Sequence, residues 1–124
     1  MSKQRILCIE DDKTLSEAYA SKLTMEGFEV ETVMDGSQAI IKLEDTEYDL
    51  ILLDLMLPKI GGIEILELLR ASKWTNANKP VIILSALNNN SDMNKAKELG
   101  VNDYLVKSDV SPDSVLEKIR ENLK

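Results

Sequence analysis

The chain has 124 residues, a net charge of −7 at pH 7 and 44% hydrophobic residues, so it is sized for one domain with a single core. This acidic balance, without a block of basic residues, argues against direct nucleic-acid binding by this domain. The sequence has no histidine and one cysteine, which excludes Ser-His and Cys-His nucleophile pairs and His-rich zinc sites. Only oxygen ligands then remain for a metal, a preference of magnesium, calcium or manganese.

The start of the chain contains no targeting segment that the sequence reveals. Only four apolar residues, 6–9, stand before Glu10, which is too few for a signal peptide or a membrane helix. Cys8 lies within this run, where we expect a small buried side chain without a disulfide role. We therefore expect a cytoplasmic protein with no membrane association, and a single domain over residues 1–124 with no output domain in this chain.

Short apolar runs alternate with longer amphipathic stretches along the chain, which is typical of βα units that build a parallel sheet. The first run, about residues 4–9, leads to a helix from about 13 to 26, and Gly27 ends that helix. The helix residues expected on or near one face are Leu15, Ala18, Tyr19, Leu23 and Met25. A second strand follows and should be half exposed, because Glu29 and Glu31 alternate with its apolar residues.

The middle of the chain contains the most apolar strand. Asp35-Gly36-Ser37 opens a short helix that ends near residue 45. The run 49–54 is nearly continuously apolar, as expected for a central strand covered on both faces. Pro58 and Gly61-Gly62 mark a loop before a third helix, whose apolar residues are Ile63, Ile65, Leu66, Leu68 and Leu69.

Two further βα units complete the pattern. Pro80 stands at the start of a fourth strand, where its missing N–H does little harm. Residues 88–91 are predicted as a polar loop and N-cap region before a helix that Gly100 closes. After the fifth strand, Ser111-Pro112 caps and begins the last helix. The fold class predicted is α/β, a doubly wound (βα)5 flavodoxin-like sandwich with right-handed crossovers.

Four of the apolar runs end in a charged or hydroxyl residue. These ends are Glu10-Asp11-Asp12, Asp54, Ser85 and Lys107. The carboxyl ends of parallel strands lie together, at the edge where open α/β folds bind ligands, so three or four carboxylates, one hydroxyl and one ammonium should converge on one pocket. This set is suited to holding a divalent cation and a phosphoryl group.

A simpler interpretation exists for each residue taken alone. The acidic triplet could be a solvated turn in which Asp12 caps the first helix, and a lysine or serine at a strand end is common. Asp54 is harder to explain in this way, because a carboxylate after four buried apolar residues is rarely left without a partner. Lys107 is its natural partner, and the specificity lies in the spacing of the whole set.

Four segments together resemble the response-regulator receiver domains, the phosphoacceptor half of two-component signalling. The segments are Ile-Leu-Cys-Ile-Glu-Asp-Asp (6–12), Asp-Leu-Ile-Leu-Leu-Asp-Leu-Met-Leu-Pro (49–58), Val-Ile-Ile-Leu-Ser-Ala (81–86) and Asp-Tyr-Leu-Val-Lys (103–107). The resemblance extends from Arg5 to Leu123. It implies a five-stranded parallel sheet in the order 2-1-3-4-5 with helices on both faces.

The resemblance also implies a role for the acidic residues. Asp54 matches the phosphoacceptor, which takes the phosphoryl group as an acyl phosphate. Glu10 and Asp11 match the acidic pair that binds Mg²⁺, or Mn²⁺ in its place, together with Asp54 and the backbone carbonyl of Met56. On this basis the domain is not an ordinary enzyme, since it catalyses only its own phosphorylation and dephosphorylation.

The remaining positions match the parts that recognise the phosphoryl group and respond to it. Ser85 matches the hydroxyl residue that moves to bond a phosphoryl oxygen, with Ala86 the small residue beside it. Lys107 matches the lysine that pairs with a phosphoryl oxygen, and Tyr104 the aromatic switch residue that swings inward on activation.

Partners follow from the same resemblance. A histidine kinase or a histidine phosphotransfer protein would supply the phosphohistidine that this chain lacks. A downstream protein target, or an output domain absent from this chain, would receive the signal. The resemblance allows a monomer or a phosphorylation-dependent dimer.

The chain departs from the family pattern beside the predicted signalling face. Ser108 follows Lys107 where many receivers have proline, often with a cis bond; because a cis non-proline bond costs about 3–4 kcal/mol, we expect a trans peptide or a strained, locally supported one. The loop over 109–111 is one residue longer than usual, and Gly61 replaces an acidic residue. Met56 and Leu87 flank the expected path of hydrolytic water, which predicts slow autodephosphorylation.

Three other functions were compared with the receiver interpretation. A flavodoxin-like cofactor binder should have Ser, Thr and Gly in its first loop to bind phosphate through N–H groups, and Glu10-Asp11-Asp12 does the reverse. A metal-dependent phosphohydrolase needs a second acid to protonate the leaving group, and none is evident. A receiver-like interaction module would keep the fold and lose the pocket residues, which are intact in this sequence.

Overall fold

The computed structural model describes residues 3–86 and 90–124. Within these residues the strands are β1 Arg5–Ile9, β2 Glu29–Val33, β3 Leu50–Asp54, β4 Val81–Ser85 and β5 Asp103–Val106. The helices are α1 Lys13–Met25, α2 Gly36–Asp45, α3 Gly62–Ala71, α4 Asn90–Glu98 and α5 Pro112–Asn122, and a 3-10 turn, Lys107–Asp109, precedes α5. The strands form one parallel sheet in the order β2-β1-β3-β4-β5, which confirms the predicted topology.

The sheet has an apolar cluster on each face. Residues of α2, α3 and α4 pack on one face, and residues of α1 and α5 pack on the other. Every residue of β3 and β4 is buried, as expected for central strands covered on both sides. Asp54 and Ser85 end these two strands, so the two most buried strands also carry two of the candidate site residues.

Side-chain caps fix the starts of three helices. Asp12 accepts a hydrogen bond from the Leu15 N–H at the start of α1, and Asp35 does the same for Gln38 at the start of α2. Ser111 caps α5 within a capping box. These caps confirm the predicted helix starts near 13, 36 and 112. They also show that Asp12 caps the first helix, which was the simpler interpretation of this residue.

Some expected faces and boundaries were wrong. Met25 is 78% exposed and Leu68 is 48% exposed, and Ala18 is also exposed. The rest of the predicted face of α1 is confirmed, because Tyr19 and Leu23 are buried and Leu15 packs against the same cluster; the buried Ser16 was not predicted. Asn90 and Ser91, predicted in a polar loop over 88–91, are the first residues of α4; residues 88 and 89 lie outside the described part of the chain.

Two polar side chains join the connections at the amino-terminal edge of the sheet, opposite the candidate site. Arg70 donates hydrogen bonds to four backbone carbonyls, those of Ala77, Lys79, Leu99 and Gly100. The completely buried Asn76 accepts from the Tyr48 N–H at 2.8 Å and donates to the carbonyls of Leu43 and Thr46 at 2.8 and 2.6 Å. Neither residue was singled out from the sequence.

Over residues 3–86 and 90–124, no helix combines the length and apolar character that a membrane span requires.

Candidate functional site

The strand register brings the predicted site residues to one edge of the sheet. Ile9 is paired with Leu53, so Glu10 and Asp54 follow at neighbouring positions. Asp54 is paired with Leu84, which places Ser85 one residue further along β4. Ser85 is paired with Val106, and Lys107 follows it. The predicted convergence of strand ends is therefore present.

Lys107 bridges two buried carboxylates. Its Nζ lies 2.7 Å from Glu10 Oε1 and 3.1 Å from Asp54 Oδ2. Glu10 is 1% exposed and Asp54 is 3% exposed, whereas the lysine side chain retains 17% exposure. A buried ion pair needs good geometry to offset the free energy lost when the charges leave water. Here one ammonium contacts an oxygen of each of two carboxylates and offsets part of their negative charge.

The acidic residues form a group with the composition of a hard-cation site. One carboxylate oxygen from each of Glu10, Asp11 and Asp54 lies within 4.8 Å of the others. Glu10 Oε1 is buried and, although close to Lys107, receives no hydrogen bond of acceptable geometry from the described residues. This acceptor has capacity for a further positive ligand, so the donor set fits Mg²⁺ or Mn²⁺.

Backbone N–H groups orient the other carboxylate oxygens. The Asp12 N–H donates to Glu10 Oε2 at 3.1 Å, and the Met56 N–H donates to Asp54 Oδ1 at 3.1 Å. The second bond links the carboxylate to the loop that follows β3. Met56 itself is an exposed hydrophobic residue, with a relative accessibility of 57%.

Burial and pairing act in opposite directions on these groups. Burial raises the pKa of Glu10 to about 7, although Lys107 and the Asp12 N–H lower it. Burial alone would lower the pKa of Lys107, but its close contacts with the carboxylates of Glu10 and Asp54 outweigh burial, and the pKa is raised. The ammonium is thus held in its charged form beside Glu10, whose carboxyl group burial makes costly to ionise.

Cys8 lies under this pocket and takes no part in its chemistry. Burial, with a contribution from Glu10, raises the pKa of the thiol to about 12. A neutral buried thiol is a poor nucleophile and metal ligand, so Cys8 serves as a small core side chain, as predicted.

The residues predicted to respond to a phosphoryl group lie on the two strands at the β4–β5 side of the sheet. Ser85 is 2% exposed, and Ala86 beside it is exposed. Tyr104 is half-buried in β5 and packs against the cluster on the α2–α3–α4 face. Leu87, predicted to flank the water path with Met56, lies outside the described residues.

The peptide between Lys107 and Ser108 is trans, as are all the described peptide bonds. The 3-10 turn begins at Lys107 itself, so Ser108 continues directly from the site lysine without the proline geometry common in the family. The first of the two expected alternatives for this bond is therefore correct.

A parallel sheet in this order, with a group of carboxylates and a lysine at its carboxyl edge, defines a flavodoxin-like α/β domain. Residues 6–120 match the response regulator receiver domain family. The chain belongs to this family, whose members are the receiver domains of two-component response regulators.

Curated relatives agree with this assignment. The DNA-binding response regulator MtrA of Mycolicibacterium smegmatis is 35% identical over 122 residues, which cover 98% of this chain and 51% of that protein. The transcriptional regulatory protein CpxR of Escherichia coli K12 is 43% identical over 103 residues, 83% of this chain and 42% of that protein. The chain thus spans about half the length of the curated relatives it matches.

Solved structures of receiver domains have the same fold. A CheY-like response regulator receiver domain protein from Methanospirillum hungatei JF-1 matches with a TM-score of 0.91 at 29% identity, over 98% of this chain and 94% of that one. The receiver domain of the Francisella response regulator 1452 matches with a TM-score of 0.87 at 30% identity, over 98% and 97%.

Proposed function

We propose that this domain is a phosphorylation switch in which Asp54 accepts a phosphoryl group from the phosphohistidine of a partner protein. The observation that carries the proposal is the contact of Lys107 with the buried carboxylates of Glu10 and Asp54, at 2.7 and 3.1 Å. This arrangement holds a nucleophilic carboxylate, a fixed cation and a group of hard ligands at one point on the edge of the sheet.

The transfer needs little covalent chemistry from the protein. A carboxylate oxygen of Asp54 forms a bond to phosphorus while the bond from phosphorus to the donor nitrogen breaks, and that nitrogen keeps the electron pair. Lys107 turns from the carboxylates to an equatorial phosphoryl oxygen and offsets its charge. Glu10, Asp11 and Asp54, with the carbonyl of Met56, would hold Mg²⁺, which supplies further positive charge to the phosphoryl oxygens.

Dephosphorylation uses the same pocket. Water attacks phosphorus and the Asp54 carboxylate leaves, so the domain catalyses only its own phosphorylation and dephosphorylation. Family membership supports this reading, and so does the grouping of the Glu10, Asp11 and Asp54 carboxylates in the pocket.

The structural response would pass through Ser85 and Tyr104. A new hydrogen bond from Ser85 to a phosphoryl oxygen favours one of two pre-existing states, and Tyr104 moves into the space that Ser85 vacates. Tyr104 is half-buried in β5 and packs against the cluster that includes Ala96 of α4, so such a movement would alter the surface of α4 and β5.

The partners proposed are a histidine kinase or histidine phosphotransfer protein and a downstream receiver of the signal. The curated relatives are described as DNA-binding and transcriptional regulators and are about twice as long as the matched region. An output domain or a separate protein target would take that role for this chain. Cytoplasmic location and the choice between monomer and phosphorylation-dependent dimer stay predictions.

Intact-mass spectrometry after incubation with acetyl phosphate and Mg²⁺ tests the proposal. We expect a gain of one phosphoryl group in the wild type, and no gain in Asp54→Asn or when a chelator removes the cation. Asp45→Asn is the matched control, because Asp45 is an exposed carboxylate at the end of α2, and it should be phosphorylated like the wild type.

No gain in folded wild-type protein that binds Mg²⁺ would contradict the proposal and favour the interaction-module alternative. A gain that persists in Asp54→Asn would place the phosphoryl group on another residue.

A further inference from the structure

The start of α2 lies against the loop that follows β3. The Gly36 N–H donates to the Pro58 carbonyl at 3.4 Å, and Gly36 is buried. A Cβ at this position would lie 2.4 Å from the carbonyl oxygen of Ile60 and 2.6 Å from its Cβ. Both distances are far below van der Waals contact, so only glycine allows the helix start and the loop to approach this closely.

A charged contact joins the same two segments. Asp35, which caps α2 through Gln38, also lies 3.5 Å from the ammonium of Lys59. Lys59 has a φ of 71°, in the left-handed region that non-glycine residues seldom adopt. The loop therefore holds an unfavourable backbone conformation at the point where α2 contacts it.

The other end of this loop is attached to the candidate site. The Met56 N–H donates to Asp54 Oδ1, and the Gly62 N–H donates to the Leu55 carbonyl at 3.0 Å. Residues 55–61 are thus held by the site carboxylate at one end and by the start of α2 at the other. The Met56 carbonyl, the proposed backbone ligand of the cation, lies between the Met56 N–H, which is bonded to Asp54, and the contacts that the α2 start makes with residues 58–60.

We propose that Gly36 is a positioning residue for the cation site, which acts by letting the α2 start press against Ile60 and so fixes the loop that carries Met56. This inference rests on the proposed function, since it concerns the affinity of the same pocket for Mg²⁺. Nothing in the motifs of the pocket itself points to residue 36, which is far from Asp54 in sequence and on a different βα unit.

Gly36→Ala tests the proposal, with Gly61→Ala as the matched control. Gly61 belongs to the same loop, but a Cβ there would meet its nearest neighbours at 3.8 and 4.0 Å, which is ordinary contact. Calorimetric titration with Mg²⁺ should show at least five-fold weaker binding for Gly36→Ala and less than two-fold change for Gly61→Ala. Phosphorylation by acetyl phosphate should need more Mg²⁺ while the rate at saturating Mg²⁺ stays within about two-fold, because the ligand set itself is unchanged.

A second readout needs no cation. Because the Met56 amide is bonded to Asp54, its hydrogen exchange measured by NMR in Mg²⁺-free protein should become several-fold faster in Gly36→Ala than in Gly61→Ala. A general loss of stability would instead speed exchange across the whole sheet and lower the rate at every Mg²⁺ concentration, and would contradict a positioning role.

The failures of the two proposals are distinguishable. Wild-type protein that binds no Mg²⁺ contradicts the proposed function, and the exchange rate of Met56 then still decides whether Gly36 positions the loop. Wild-type binding with an equal affinity and an equal Met56 exchange rate in Gly36→Ala overturns only the inference.

If Gly36→Ala does not fold, the double variant with Ile60→Gly replaces it. The double variant removes the Cβ contact but leaves the carbonyl in place, so its Mg²⁺ affinity should remain at least five-fold below that of Ile60→Gly alone. Equal affinities would overturn the inference.

Discussion

The ammonium of Lys107 lies between two carboxylates that are almost completely removed from water. Glu10 and Asp54 would repel each other if both were charged and no cation were present, and burial already raises the pKa of Glu10. Lys107 reduces this repulsion in the absence of metal, and Mg²⁺ would take over part of that role when bound. We therefore expect the lysine to contribute to the stability of the folded domain, in addition to its proposed role in phosphoryl recognition.

Lys107→Ala is expected to lower the free energy of unfolding by about 3 kcal/mol without Mg²⁺, since it leaves buried carboxylates unpaired. Saturating Mg²⁺ should restore part of the loss. Urea unfolding with and without Mg²⁺ measures both effects. Lys95→Ala is the control, because its ion pair with Glu67 is half exposed at 3.6 Å and should contribute less than about 1 kcal/mol. Equal losses in the two variants would contradict this prediction.

A second prediction for a single residue concerns the side chain of Met56 and the rate at which the phosphoryl group is lost. It is 57% exposed beside the candidate phosphoacceptor and offers no strong hydrogen-bonding group to a water molecule. An amide there could hold the attacking water in place. Met56→Asn should therefore lose its phosphoryl group several-fold faster than the wild type.

The decay of phosphorylated protein after removal of acetyl phosphate, followed by intact mass, checks this difference. Met56→Leu should decay like the wild type, because it keeps an apolar side chain of similar size. Comparable hydrolysis of wild type and Met56→Asn would show that this position does not control access or orientation of water.

At the scale of helices and strands, the sequence was informative wherever one local rule determined the outcome. The caps Asp12, Asp35 and Ser111 and the continuous apolar runs of β3 and β4 predicted element positions closely. The pocket followed from the same rule, because parallel strands in neighbouring positions bring their carboxyl ends together.

Features that depend on contacts between two distant segments could not be predicted from such local rules. The contact of Gly36 with Ile60, the four carbonyls bound by Arg70 and the burial of Asn76 each require the folded arrangement of connections. The exposed Met25 shows the same limit for apolar residues, since periodicity near a helix end does not decide which side faces the sheet.

Asn76 gives a prediction at this scale, since its side chain joins the α2–β3 and α3–β4 connections. Asn76→Ala would leave the Tyr48 N–H and the carbonyls of Leu43 and Thr46 without this partner, in a site from which water is excluded. We expect a loss of roughly 3 kcal/mol in the free energy of unfolding. Urea unfolding measures it.

Asn78→Ala is the control for this substitution, because Asn78 is an exposed asparagine two residues away in the same connection. Its effect should stay within about 0.5 kcal/mol. Because the Asn76 site lies at the sheet edge opposite the pocket, phosphorylation of folded Asn76→Ala should proceed as in the wild type. A loss of phosphorylation with little loss of stability would indicate a coupling between the two edges that the contacts do not show.

At the scale of the whole molecule, we expect the net charge of −7 and the acidic pocket to make the stability of the folded state depend on a divalent cation. A ligand that binds only the folded state stabilises it by about 2.7 kcal/mol at one hundred times its Kd. For a domain of this size we expect Tm to rise by roughly 10 °C at that Mg²⁺ concentration. NaCl at equal ionic strength should give a much smaller rise, because it only screens the surface charges.

Asp11→Asn is the decisive variant, since Asp11 is exposed and its loss should leave the fold intact while removing one of the three grouped carboxylates. Differential scanning calorimetry should then show a higher Tm for this variant without Mg²⁺, from reduced repulsion, and a smaller rise with it. An equal rise in both proteins would mean that the cation acts on the overall charge, away from the pocket.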